Sequence, residues 1–247
     1  MTEDDNCEIT SIQSLIGCTG RRWIMGVISQ LEERQFYLED LTGAVPIDLS
    51  NAKITSGFFV ENTVILAEGE LLSNGIFQVN TCGFPPLEDR EASLSMLMGL
   101  DFFGGGVIAA EETVRLSTLE KKAMNDMFVI LSDVWLDSSE ITRMIVILNT
   151  QLFHHESTFY GQLVATITHQ SHLCPLPLTV QPIIWNYDHC LRLYPTPHTI
   201  VLGDKSEQKA FKYAGITCFN PGSFANDSSF AAYRPCTKEV ELSALES

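Results

Sequence analysis

The chain has 247 residues, of which 45% are hydrophobic, enough apolar material for one large domain or two small ones. Its 31 acidic and 15 basic side chains give a formal net charge of −16, which repels a phosphate backbone at long range. We therefore expect any contact with nucleic acid to be made through a partner. No apolar run approaches the ~18 residues of a membrane span, and the N-terminus opens with acidic residues, so neither a membrane span nor secretion is predicted.

The cysteines are seven in number, widely scattered and without a Cys-x-x-Cys pair. An odd, scattered set predicts reduced thiols in the cytosol or nucleus. The seven are Cys7, Cys18, Cys82, Cys174, Cys190, Cys218 and Cys236.

Residues 1–20 are predicted to be an acidic tail, and residues 21–85 alternate short apolar runs with turn signals, which predicts a small all-β domain. The longest connection, Ser50–Asn62, follows the third strand. Five strands with one long connection are typical of a partly open Greek-key barrel of the OB type. The predicted strands are Arg22–Leu31, Gln35–Leu41, Ala44–Leu49, Thr63–Leu72 and Ile76–Cys82.

Residues 86–123 are predicted to be a connector with a helix at Glu111–Asn125. From residue 124 to 247 the pattern changes to apolar runs that end in polar loops, typical of an α/β domain. Its predicted strands include Met127–Leu131 and Thr199–Leu202, with a helix at Ser138–Leu148, while five prolines exclude a long helix between residues 173 and 198. The predicted fold class is therefore α+β.

The segment Leu131–Asp137 (LSDVWLD) follows a predicted strand, and an Asp at the carboxyl end of a strand is where a metal ligand would lie. Metallophosphoesterases of the calcineurin type place Asp-x-His there to bind two divalent cations. Asp133 fits the Asp, but the His position holds Trp135, whose indole cannot ligate a cation. We favour the alternative in which Asp133 caps a helix or turn and Trp135 packs against its surroundings.

A second motif of these enzymes, Gly-His-x-His followed by Asn-Pro-Gly-Ser, is also degenerate. Asn220–Ser223 supplies the Asn-Pro-Gly-Ser, but the preceding Gly203-Asp204-Lys205-Ser206 has no histidine, and the lysine would repel a cation. We therefore predict no catalytic residue, no metal ligand and no cofactor, and the chain is not predicted to be an enzyme.

Three other features could in principle form sites. His169 and His172 stand three residues apart and could share one helix face, and His154 and His155 form a doublet. Neither pair has the further ligands of a zinc site, so we interpret all four as surface or interface histidines. The glycines Gly104–Gly106 lack the Lys-Ser/Thr ending of a phosphate-binding loop.

The predicted barrel has aromatic side chains that could stack on bases: Trp23, Phe36, Tyr37 and Phe77. However, residues 1–85 contain twelve acidic and only four basic side chains. Because the positive groove of a nucleic-acid site is missing, a protein-binding face is the favoured interpretation.

Five strings, in this order, closely resemble the B-subunit family of DNA polymerase epsilon, and the resemblance covers nearly all of residues 8–235. They are FYLEDLTGAVPIDL at 36–49, LSDVWLD at 131–137, HLCPLPL at 172–178, IIWNYDHCLRLYP at 183–195 and FNPGSF at 219–224.

The resemblance implies an N-terminal helical domain, an OB fold and a calcineurin-like phosphoesterase domain that has lost its metal ligands. It implies a non-catalytic, nuclear accessory subunit in DNA replication and repair. The implied partners are the C-terminal zinc-bearing region of the catalytic subunit and other replisome proteins, with DNA contacted mainly through the complex and no membrane. Asp133 and Trp135 fall on the degenerate Asp-x-His and Asn220–Ser223 on the loop motif, but no binding residue is assigned.

The chain departs from this family in two places. It begins just before the OB strands, without the helical domain, and between Asn149 and Phe159 it omits a long middle region of the phosphoesterase-like domain. Residues 124–247 are thus expected to form an incomplete phosphoesterase-like α/β sandwich. A splice form, an incomplete gene model and a divergent lineage would each explain the gap. The rival hypotheses are an active metallophosphoesterase, opposed by the missing histidines, and a free single-strand-binding OB protein, opposed by the acidic charge.

Overall fold

The structure, a computed structural model, describes residues 8–32, 35–55, 57–97, 99–101, 105–134, 159–175, 178 and 182–245. The chain divides into two compact units, each built from two separate segments. The first unit comprises Met1–Glu88 and Gly161–Leu193, and the second comprises Asp89–Tyr160 and Tyr194–Ser247. Among the described helices, none is both long and apolar enough to cross a membrane.

The first unit contains six described strands, of which five match the predicted strands to within one residue at each end. The exception is a two-residue strand in the long connection, which was not predicted. In chain order they are β1 (Arg22–Glu32), β2 (Gln35–Asp40), β3 (Gly43–Asp48), β4 (Lys53–Ile54), β5 (Val64–Leu71) and β6 (Phe77–Gly83).

The strands follow one another around a partly open barrel. Strand β1 pairs antiparallel with β2 and β5, β2 with β3, and β5 with β6. A short parallel seam between β3 and β6 joins the two ends of this path through two residue pairs, Ile47 with Phe77 and Asp48 with Gln78. Alternate side chains point inward because successive residues of a strand face opposite sides. The fully buried core includes Ile24, Leu38, Ile65, Phe77 and Val79.

Strands β5 and β6 approach closely at Gly69, where the register shifts between Glu68 and Gly69. A Cβ atom at Gly69 would lie 2.1 Å from the carbonyl oxygen of Gln78. Only glycine fits there without displacing the neighbouring backbone. The close approach of the two strands at the bulge therefore requires glycine at this position.

The described helices lie outside the barrel strands. They are α1 (Arg90–Met96), α2 (Ala110–Lys122), α3 (Phe159–His169) and α4 (Phe224–Asp227), together with short 3₁₀ helices at Ile12–Leu15 and Trp185–Leu191. The predicted helix at Glu111–Asn125 is confirmed as α2, although it ends three residues earlier. Helix α1, capped by the Asp89 carboxylate that accepts from Ala92 N, was not predicted. The expected helix at Ser138–Leu148 lies outside the described residues.

Helix α3 and the residue after it are bonded to the barrel through side chains. Thr166 Oγ1 accepts from Phe58 N at 2.8 Å. The Gln170 amide accepts from Val64 N at 2.9 Å and donates to Val64 O at 3.0 Å. The segment 161–193 therefore packs with the barrel, a pairing that no sequence pattern predicted.

His169, at the end of α3, adds a ring contact to these bonds. Its Nδ1 donates to Pro85 O at 2.7 Å, and its ring stacks on Phe84 with centroids 5.2 Å apart. Phe84 in turn stacks on Phe59 at 4.5 Å. This row of three rings joins α3 to the end of β6.

The described residues of the second unit form two three-stranded sheets from the strands β7 (Phe128–Ile130), β8 (Thr199–Val201), β9 (Lys209–Tyr213), β10 (Ile216–Asn220), β11 (Ser229–Arg234) and β12 (Glu239–Ala244). One has the order β8-β10-β9 with β8 and β10 parallel, and the other is antiparallel with the order β12-β11-β7. Phe219, Ala231 and Leu242 are buried together, and the Phe219 and Tyr233 rings lie 5.9 Å apart. The α+β class is thus confirmed.

Candidate functional site

Three loops of the second unit meet at the carboxyl ends of β7, β8 and β10. They carry the residues of the two degenerate motifs: Asp133 after β7, residues 203–206 after β8, and Asn220–Ser223 at the end of β10. The prediction that Asp133 follows a strand is confirmed. Its φ of +53° lies in the left-handed region, which Asp tolerates better than most residues.

The Asp133 carboxylate holds the other two loops. Its Oδ2 accepts from Ser223 Oγ at 2.7 Å, and its Oδ1 lies 3.9 Å from Lys205 Nζ. Ser223 is itself the N-cap of α4 because its Oγ accepts from Asn226 N at 3.2 Å. Asp133 therefore does not cap the helix but orients the residue that does.

The main chain on both sides of Asp133 makes further bonds to the start of α4. Ser132 O accepts from Phe224 N at 3.0 Å, and Asp133 O accepts from Ala225 N at 3.1 Å. The loop after β7 is thus fixed by backbone as well as by side-chain contacts.

Asn220 joins the loops after β8 and β10 and is fully buried. Its Nδ2 donates to Asp204 Oδ1 at 2.7 Å, and its Oδ1 accepts from Gly222 N at 3.0 Å and from Asp204 N at 3.4 Å. Asp204 Oδ1 also accepts from Ser206 N at 2.7 Å. The polar groups of this cluster therefore form hydrogen bonds with one another.

Chemically, this arrangement fixes loops and offers little to a substrate. A two-cation hydrolase needs several carboxylate and imidazole ligands around one point. Within the described ranges, no group of three His, Cys, Asp or Glu side chains could hold a metal ion. Lys205 places an ammonium beside Asp133, where a ligand would be needed. Trp135 lies outside the described residues, so its predicted packing stays a prediction.

The expectation that His169 and His172 could share one helix face is wrong. Helix α3 ends at His169, and His172 follows in a non-helical segment. There its Nδ1 accepts from Cys174 N at 3.0 Å and its Nε2 donates to Asp188 Oδ1 at 3.3 Å. The doublet His154-His155 lies outside the described residues. Burial lowers the pKa of His169, and the bond to Pro85 offsets part of that effect.

The barrel aromatics need one correction. Phe77 is fully buried in the core because its position on β6 faces inward, so it cannot stack on a base. Phe36 is 42% exposed, and Trp23 and Tyr37 are half-buried. Of the four, these three could therefore contact a ligand.

The described cysteines are free thiols. Two of them, Cys82 and Cys218, are buried. Burial raises the pKa of Cys218 to about 12, which keeps it protonated and unreactive near neutral pH.

One linking residue was missed by sequence reasoning. Gln208 Nε2 donates to Phe230 O and to Ser243 O, both at 2.7 Å, and so ties the loop before β9 to β11 and β12. A single glutamine in a polar loop belongs to no spacing pattern, so no sequence signal could have identified it.

Comparison with known proteins identifies relatives for nearly the whole chain. Residues 1–86 match the family described as DNA polymerase epsilon subunit 2-like, OB-fold domain, which confirms the predicted OB fold. Residues 146–212 match the family of the B subunit of DNA polymerase alpha/epsilon. A solved structure of telomere capping protein Ten1 from Saccharomyces pombe aligns with 31% of the chain at 14% identity and a TM-score of 0.27, which is too weak to bear on the fold.

Two curated relatives align along most of the chain. The B subunit of DNA polymerase epsilon from Arabidopsis thaliana is 44% identical over 370 residues, covering 99% of this chain and 70% of the relative. DNA polymerase epsilon subunit 2 of Homo sapiens is 27% identical over 363 residues, covering 97% of this chain and 69% of the relative. Both alignments are longer than the 247 residues of this chain, so the relatives contain internal residues without a counterpart here. With this identity over its length and both family matches in agreement, the chain belongs to the B-subunit family of DNA polymerase epsilon.

Proposed function

We propose that the chain is a non-catalytic accessory subunit of the DNA polymerase epsilon complex and scaffolds the catalytic subunit. The observation that carries this proposal is the 44% identity to the Arabidopsis relative over 99% of the chain. Two features of the molecule support it. The loop cluster around Asp133 and Asn220 is occupied by its own hydrogen bonds, and the chain carries a net charge of −16, which suits a protein partner better than DNA.

The finer parts of the proposal concern domains and partners. Residues 21–85 form the OB domain, residues 86–123 connect, and residues 124–247 derive from a calcineurin-like phosphoesterase domain that lacks its middle region and its metal ligands. The chain binds the C-terminal zinc-bearing region of the catalytic subunit, and other replisome proteins join the same complex. It contacts DNA mainly through that complex. It acts in the nucleus, in replication and repair. The two sheets of the second unit, with Asp133 and Asn220 at their carboxyl ends, support the phosphoesterase origin.

Co-purification tests the partner. The full chain is co-expressed with a tagged C-terminal region of a polymerase epsilon catalytic subunit, with the Arabidopsis relative as positive control and an untagged bait as negative control. We expect this chain to be retained in a stoichiometric complex. Retention of the Arabidopsis relative alone, with this chain soluble but unbound, would contradict the proposal.

A hydrolysis assay tests the inactive site. With bis-p-nitrophenyl phosphate and added Mn²⁺ or Zn²⁺, we expect no turnover above the metal-only rate because the imidazole ligands are missing. The control is Asp133→Ala, which should give the same background. Metal-dependent turnover that disappears in Asp133→Ala would overturn the assignment of an inactive site.

A further inference from the structure

The second unit contains an open cleft that belongs to no feature described above. Its volume is about 240 Å³, and it lies between β9, β10 and the beginning of β12. Ala210 and Val240, which pack against the same buried cluster, give it apolar walls, and Lys212, Lys238 and Glu239 supply charged side chains. A space of this size accommodates one or two side chains of a partner.

The two lysines are brought to the cleft by specific backbone contacts. Lys212 on β9 stands opposite Thr217 on β10. Thr217 Oγ1 donates to Lys238 O at 3.0 Å, so the turn between β11 and β12 is held beside both strands. Lys238 has a φ of +57°, a conformation that favours Gly or Asn, and a lysine there bears a backbone cost.

Other charged side chains lie next to this turn or act on the neighbouring His198, whose carbonyl oxygen accepts from Thr217 N at 3.0 Å. Cys236 Sγ bonds to Lys121 O at 3.6 Å, so the end of α2, with Lys121 and Lys122, lies next to it. The pKa of His198 is lowered first by burial and then by the charges of Lys238 and Arg90. Two carboxylates act on His198 in the opposite direction, those of Glu120 and Glu91, and Glu239 lines the cleft. Arg90 and the four lysines outnumber these three acids, in a chain whose net charge is −16.

We propose that this cleft docks a short acidic peptide segment of a partner protein, with one apolar side chain packed against Ala210 and Val240. The carboxylates that flank this side chain pair with Lys212 and Lys238. This inference goes beyond the scaffolding function and does not depend on which complex contains the chain.

A peptide fits better than a nucleic-acid strand for two reasons. Single-stranded nucleic acid is bound by successive stacking rings along a positive groove. Phe211 is the one aromatic residue among those that line the cleft, and its ring faces the other side of β9, next to Lys209. In addition, the net negative charge of the whole chain repels a long polyanion. A peptide with only a few carboxylates interacts mainly with the nearby lysines.

Fluorescence anisotropy with the full chain tests the proposal. The probe is a labelled Asp-Glu-Leu-Glu-Asp peptide, measured at about 50 mM and about 500 mM salt because exposed ion pairs are screened. We expect binding that weakens at high salt and that weakens about tenfold in the double variant Lys212→Glu, Lys238→Asn. Asn tolerates the left-handed turn, so this variant should keep its circular dichroism. Ala in place of the peptide's Leu should weaken binding several-fold.

The matched control is Lys53→Glu, a charge reversal on β4 of the other unit that lines no part of the cleft. It should leave peptide binding unchanged. Equal binding by the folded double variant, equal weakening by Lys53→Glu, or no binding at low salt would each overturn the proposal. Tighter binding of oligothymidine than of the peptide, with the same lysine dependence, would instead identify a nucleic-acid site and also overturn it.

Discussion

Asn220 shows how a single buried amide can hold the loops of a degenerate metal motif. Its hydrogen bonds reach both Asp204 and Gly222, and the side chain has no exposed surface. A metal ion would join such loops by coordination, whereas here an amide and the Asp133 carboxylate do so by hydrogen bonding. This role follows from contacts between distant residues, which explains why the motif could be read from the sequence but its partners could not.

We expect Asn220→Ala to lower the free energy of unfolding by about 2–3 kcal/mol, because it leaves the buried Gly222 N–H without its acceptor. Chemical denaturation followed by tryptophan fluorescence measures the loss. Asn226→Ala, at an exposed position of α4, is the control and should change stability by less than about 0.5 kcal/mol. Equal effects of the two substitutions would contradict the structural role of Asn220.

His169 should make the stability of the first unit sensitive to mild acid. Burial lowers its pKa in the folded state, so the unfolded chain binds more protons once the pH falls below the ordinary value of about 6.5. The stabilising contribution is therefore complete above about pH 6.5 and declines as the pH falls from there towards the lowered pKa. Urea unfolding at several pH values between about 7.5 and 5.5 should show this decline.

The matched variants replace histidines by asparagine. In His169→Asn the amide keeps a donor for Pro85 O but does not titrate, so the pH dependence should become shallower. His189→Asn, at an exposed position, should keep the wild-type slope. A wild-type slope in His169→Asn would show that another group is responsible.

At the scale of elements, the barrel strands were predictable and the α3 contact was not. Alternation of apolar and polar residues predicts a strand locally, and the turn signals between the apolar runs of the sequence predict where it ends. Helix α3 joins the barrel through Thr166 and Gln170, whose partners stand 108 and 106 residues away. No local pattern encodes such a pairing. The short helix α1 could not be predicted from the sequence because seven residues show too little apolar periodicity to be distinguished from a polar loop.

Two glycine-to-alanine substitutions in the first unit should have opposite effects. Gly69→Ala forces a Cβ against the Gln78 backbone and should destabilise the barrel by about 1–3 kcal/mol. Gly161→Ala lies in α3 with no atom within 4 Å of its Cβ, so it should stabilise by about 0.5 kcal/mol through helix propensity. Thermal unfolding measures both. The same sign for both would contradict the packing described for β5 and β6.

For the molecule as a whole, α2 should be the first described helix or strand to be cleaved by trypsin. No residue of this 13-residue helix is buried, and a helix of this length is marginal in water without tertiary contacts. We expect the earliest cuts after Arg115, Lys121 and Lys122, while Arg22 within β1 stays protected. Mass spectrometry of a time course identifies the order. Cleavage at Arg22 before any cut in α2 would contradict this expectation.

The division of each unit between two chain segments has a consequence for synthesis on the ribosome. The barrel strands emerge first, yet residues 161–193, which belong to the same unit, emerge only after most of the chain has been translated. Until residues 166 and 170 have been synthesised, the nascent barrel therefore lacks the hydrogen bonds from Phe58 N to Thr166 and from Val64 N to Gln170. Translation proceeds from the N-terminus, so the first unit can be completed only after residue 193 and the second only after its C-terminal segment has been made, and a chain interrupted before residue 193 would leave both incomplete.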